Sequence, residues 1–161
     1  MSAVRSEVVL LFRPHPRSTS LPTCLAKFLE DTTITKMVVD DTADSKGLKA
    51  DFGLACGTVQ DLQGVASGFG FAVIHPETKK IIDTKPSMEL LASYFLRYDM
   101  VKKKEISLSF TEESFHVPLT ALQRQYGTMD AIMAYEIGRK MASIRALPPD
   151  QQRKWVRKIH I

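Results

Sequence analysis

Apolar positions recur at two different spacings along the chain, and the change of spacing divides it. Up to residue 117 the apolar runs are short and of mixed period. From residue 120 onward they return every three or four positions, the period of a helix. Residues 8–12 form a β-branched apolar run that predicts a strand, ended by Pro14 and Pro16. Leu21, Leu25, Phe28 and Leu29 share a face of a short helix reaching Glu30, with Ser20 or Thr23 as its cap. Residues 33–40 predict a second strand, and residues 41–64 a long loop with one short strand at 52–55. Residues 65–74 and 80–83 flank a proline-containing turn and predict a strand pair. A helix follows from Pro86 and Ser87 to about Tyr98. Ile106, Leu108 and Phe110 alternate with polar residues, which predicts a strand over 105–110, with 115–117 returning against it.

Beyond Thr120, Gly127 interrupts the helical period, and Thr128 with Asp130 suits a new N-terminus. Met129, Ile132, Met133, Ile137, Met141 and Ile144 make an apolar stripe. Pro148 and Pro149 end it and open a last helix over 149–159, in which Trp155, Val156 and Ile159 oppose Arg153, Lys154, Arg157 and Lys158. The expected fold is α+β: a mostly antiparallel sheet with packed helices, and a C-terminal helical region ending in a basic amphipathic helix. Residues 1–117 would form the sheet part and 118–161 the helical part of one structural domain, which suits 161 residues.

Charge sharpens this picture. The net charge is +4, but residues 139–161 alone carry +6, while residues 30–61 carry −4. Such polarity is expected where a chain meets an anionic surface. Arg139, Lys140, Arg145, Arg153, Lys154, Arg157 and Lys158 are the candidate contacts, and Lys102, Lys103 and Lys104 would extend the same surface. The alternative use of these lysines is solubility and protection of a sheet edge.

Gly68, Phe69, Gly70 and Phe71 form a Gly-aromatic-Gly-aromatic run. It resembles the octamer of the RNA-recognition motif family, as does the expected order strand, helix, strand, strand, helix, strand across residues 7–110. The resemblance implies a single-stranded RNA binder in which Phe69 and Phe71 stack on bases. Ser67 stands where that family has a basic residue, and the interval before the run is longer than the family's. Close packing against a helix is the structural alternative for the two rings.

Other chemistry is sparse. Asp40, Asp41, Asp44 and Asp51 do not fit a calcium-hand frame: counting from Asp40 puts Ser45 at the glycine position, and counting from Asp41 puts Ala43 at the third. Cys24, Cys56, His15, His75, His116 and His160 show no zinc spacing. No phosphate loop, nucleophile elbow or dinucleotide fingerprint occurs, and no asparagine is present to serve a catalytic dyad. No cofactor, metal or catalytic residue is therefore expected. Two cysteines and no apolar run of targeting length suggest an intracellular chain without signal peptide or membrane span.

The leading expectation is a non-catalytic binding or assembly module of matrix or coat type. It would engage RNA, or an acidic membrane surface, through its basic C-terminal region, with self-association or a protein partner as a further role. The alternatives are the RNA-recognition-like binder, a small enzyme using a Cys or His, and a protein–protein adaptor.

Overall fold

The computed structural model describes residues 9–13, 18–74, 77–78, 80–83, 85–100, 117–152, 154–155 and 159–160. In chain order the elements are α1 (Thr23–Glu30), β1 (Lys36–Val38), α2 (Asp41–Phe52), β2 (Val59–Asp61), α3 (Leu62–Gly68), β3 (Val73–Ile74), β4 (Ile81–Asp83), α4 (Met88–Leu96), α5 (Ala121–Arg145), α6 (Pro149–Gln152) and β5 (Ile159–His160).

The described chain is mostly helical, which corrects the expected mostly antiparallel sheet. Its strands are two or three residues long. β1 and β2 pair in parallel, Lys36 opposite Val59 and Val38 opposite Asp61. β5 joins β3 in parallel, and only the short β3–β4 ladder is antiparallel. Residues 9–13 carry no regular structure, so the first expected strand is absent. The segment read as a long loop is instead α2 followed by β2. The segment read as a strand from Val65 is α3, capped by the Asp61 carboxylate, which accepts from the Gln63 amide at 3.0 Å. The expected strand at 105–110 lies outside the described residues.

α5 is the spine. Its 25 residues run for about 37 Å at 1.5 Å per residue. Thr120 and Gln123 close a reciprocal capping box at its start: each backbone N–H meets the other's side-chain oxygen, at 2.9 and 3.1 Å. The helix does not break at Gly127. The cap upstream and the apolar stripe downstream outweigh the roughly 1 kcal/mol that a glycine costs a helix. Met133, Ile137, Met141 and Ile144 of that stripe are buried, against Leu62, Val65 and Ala66 of α3 and Leu91, Ala92 and Phe95 of α4. Gly138 lets β1 approach, since a Cβ there would overlap the Met37 thioether.

Among the described residues of the helix expected over 149–159, only Pro149–Gln152 is helical: α6 stops after one turn at Gln152, a further turn carries Lys154 and Trp155, and Ile159–His160 pairs as β5 beside β3. Tertiary contacts override the local pattern here. The Trp155 carbonyl accepts from the Tyr94 hydroxyl at 2.5 Å, and the Lys140 ammonium sits 4.7 Å from the indole centroid. These contacts pull the segment across α4 and α5.

Candidate functional site

β1 runs towards α4 and α5 because its parallel pairing with β2 fixes its direction. Past its end, Val39 leads to Asp40, whose backbone turns left-handed (φ 64°, ψ 62°) to start α2. That conformation is uncommon for a residue with a side chain. It brings Asp40 and, one turn into α2, Asp44 to the same hollow. α4 begins opposite, with Ser87 accepting from the Leu90 amide at 3.3 Å and Glu89 in its first turn. α5 completes the wall with Tyr126 and Asp130, four residues apart and therefore on one face.

These residues line a cavity of about 620 Å³ together with Met37, Val38, Val39, Met88, Ala131 and Ala134. Four carboxylates thus meet one cleft: Asp40 and Asp44 from α2 and the turn before it, Glu89 from α4, and Asp130 from α5. Tyr126 is buried beside them, and its phenol donates a hydrogen bond to Asp130. Burial, then the charges of Asp130 and Glu89, and then that hydrogen bond push the Tyr126 hydroxyl up to about 12. It is therefore a protonated donor throughout the physiological range. Among the described residues no three His, Cys, Asp or Glu side chains stand close enough to cage a metal ion on their own.

The thiols offer no nucleophile of the expected kind. Cys24 is exposed and Cys56 half-buried, both free. Burial pushes the Cys56 thiol up, and Asp41 and Asp44 add to this while Lys36 opposes it, which disfavours the thiolate.

Of the cations singled out by sequence, Arg139, Lys140, Arg145 and Lys154 lie among the described residues. The Arg139 guanidinium binds Glu136 at 2.7 Å. Lys140 lies over Trp155, and Arg145 lies 5.6 Å from the Phe69 centroid. Lys154 is exposed on the turn after α6. Arg153, Arg157 and Lys158, like Lys102, Lys103 and Lys104, lie outside the described residues. Arg139, Lys140 and Arg145 thus stand on α5 and Lys154 on the turn after α6.

Phe71 corrects the stacking expectation. It is 2% exposed, meets Tyr94 edge-on at 5.0 Å and lies nearly parallel to Phe95 at 6.2 Å, so no base reaches it. Phe69 packs against the core as the C-cap of α3, and Gly68 is helical.

The cleft was not legible in these terms. Asp41, Asp44 and Glu89 stand in first helical turns, where an acid is already favoured by the helix dipole, and Asp130 reads as a cap. The one signal available was their number: three of the four cleft carboxylates sit at or near helix starts.

No protein-family model and no curated protein matches the chain. Similar solved structures include the EXD2 exonuclease domain soaked in Mn, at 22% identity and a TM-score of 0.30, over 77% of this chain and 57% of that one. The same domain soaked in Mn and GMP gives 23% identity and a TM-score of 0.30, over 78% and 58%. The domain with no soaked ligand named gives 22% and 0.29, over 85% and 59%. This chain therefore spans less than two thirds of those domains. TM-scores this low carry no argument about a shared fold or activity. The expectation of a non-catalytic assembly module acting through a basic C-terminal helix is withdrawn because α6 ends at Gln152 and Ile159–His160 is a strand, and the RNA-recognition alternative is withdrawn because Phe71 is buried. No helix among the described residues is long and apolar enough to cross a membrane.

Proposed function

We propose that the cleft between β1, α2, α4 and α5 is a catalytic pocket for a phosphate-bearing ligand, a nucleotide or the end of a nucleic-acid strand, held through a hydrated divalent cation. The observation that carries this reading is the convergence of Asp40, Asp44, Glu89 and Asp130 on one cavity in a chain whose net charge is +4. The cations concentrated in residues 139–161 attract a polyanion to the surface. The acidic pocket repels bare phosphate and accepts it only with a positive ion between.

The donors fit such an ion. Mg²⁺ and Mn²⁺ prefer hard oxygen ligands, and Mg²⁺ keeps several waters while binding one or two carboxylates plus substrate phosphates. A caged site of three or more protein ligands is thus unnecessary, and the described residues form none. Zinc fits poorly, since it takes three or four protein nitrogen, sulfur or oxygen ligands, and the described residues bring no such group together. A bound divalent cation supplies charge stabilisation on a phosphoryl oxygen.

The chain's own groups do the rest. Asp130 accepts the Tyr126 phenol's one proton in a hydrogen bond, which leaves the phenolic oxygen to accept from a water or a ligand hydroxyl. Met37, Val39, Met88 and Ala134 give the pocket apolar walls that exclude bulk water and strengthen each electrostatic contact. Equilibrium dialysis against Mn²⁺ tests the reading: the wild-type chain should bind the ion, and Asp130→Asn or Glu89→Gln should weaken binding about tenfold or more while leaving the fold intact. Absence of Mn²⁺ binding by the wild type rejects it.

A further inference from the structure

The core holds one buried polar side chain among the described residues, Gln63, at 8% exposure. Burying an amide costs about 1–3 kcal/mol unless it is hydrogen-bonded, and an apolar residue of equal size would serve packing alone. Its Nε2 donates to the carbonyl of Pro86 at 3.1 Å, across 23 positions of sequence. Pro86 is fully buried and directly precedes Ser87, the cap of α4, so the bond fixes where that helix begins and with it Ser87 and Glu89 of the cleft. The backbone of Gln63 is tied the other way. Its N–H meets the Asp61 carboxylate at 3.0 Å, and Asp61 is the β2 residue paired with Val38 of β1. Val38 also lines the cleft, two positions before Asp40.

We infer that Gln63 is a positioning residue that braces the two walls of the cleft, holding the end of β1 and the start of α4 at a fixed separation. The inference rests on the cleft being the working site. Gln63 itself does not line the cavity and touches no ligand there. It acts through Pro86 on Glu89 and through Asp61 on Asp40. The start of α4 is closed by the Leu90 amide donating to Ser87 at 3.3 Å, so exchange of that amide reports the position of this wall independently of any ligand.

The test is Gln63→Met, which keeps the volume and removes the donor, with Gln63→Leu as a second variant of different shape. Two readouts are taken: Mn²⁺ affinity by dialysis, and hydrogen exchange of the Leu90 amide, which donates to the Ser87 cap of α4. The brace predicts a folded variant whose Mn²⁺ affinity falls about tenfold and whose Leu90 amide exchanges faster than in the wild type as the start of α4 loosens. Unchanged affinity together with unchanged exchange overturns it. If the wild type binds no Mn²⁺, the proposed function fails and the Leu90 exchange alone decides the brace, a faster rate supporting it and an unchanged one rejecting it. Failure of both variants to fold also rejects it, because Gln63 would then serve the core and not the cleft.

Discussion

The Tyr126 phenol donates to the Asp130 carboxylate one turn along the same helix, while Glu89 faces that phenol from α4. The pair joins a wall of the core to the mouth of the cleft. It also gives the protein an alkaline limit. A phenol whose folded value is raised contributes stability that is fully present below the unfolded value near 10 and is lost as pH rises through about 12. Urea unfolding at several pH values should show stability falling across that window in the wild type, and a shallower fall in Tyr126→Phe.

Asp40 separates stability from binding. Its left-handed backbone suits glycine better than any residue with a Cβ. Asp40→Gly should stay within about 1 kcal/mol of the wild type, and Asp40→Ala should be less stable than Asp40→Gly by about 1 kcal/mol. Both remove the same carboxylate and should weaken Mn²⁺ binding equally. Denaturant titration alongside dialysis reads the two effects apart.

Gly57 is fixed by close approach. Its N–H donates to the Leu29 carbonyl at 2.8 Å, and a Cβ there would stand 2.6 Å from the Glu30 carbonyl oxygen and 2.8 Å from that of Asp31. Because the obstacle is backbone, Gly57→Ala should destabilise by about 1–3 kcal/mol. It should also raise amide exchange at the C-terminal end of α1, measured by deuterium uptake.

Ile137 is 0% exposed at the centre of the α3–α4–α5 contact. Ile137→Ala should cost about 2–5 kcal/mol by chemical denaturation. Tyr135→Ala, on the exposed face of the same helix, should cost far less.

Three helices were readable from periodicity. α1 and α4 fall within the expected spans, Ser87 caps α4, and the stripe of α5 is buried at Met133, Ile137, Met141 and Ile144. α2 was hidden because its sequence has only weak amphipathic spacing, and because its start is set by the left-handed turn at Asp40. α3 was hidden because its apolar residues and the Phe69–Phe71 run beyond it fit a strand as well as a helix. The C-terminal segment failed for the opposite reason. Its amphipathic pattern is clear, but Tyr94, Lys140 and β3 hold the chain in another path. The cleft is assembled from α2, α4 and α5, elements far apart in sequence, and each of its acids has a local reason to stand where it does. No short motif announces their meeting.

If phosphate enters this cleft only with a divalent cation, a nucleoside monophosphate titrated calorimetrically into the protein binds in the presence of Mn²⁺ and not in its absence, and Asp130→Asn loses about tenfold or more. Equal binding without Mn²⁺, or binding indifferent to Asp130→Asn, Asp40→Gly and Glu89→Gln alike, rules that route out.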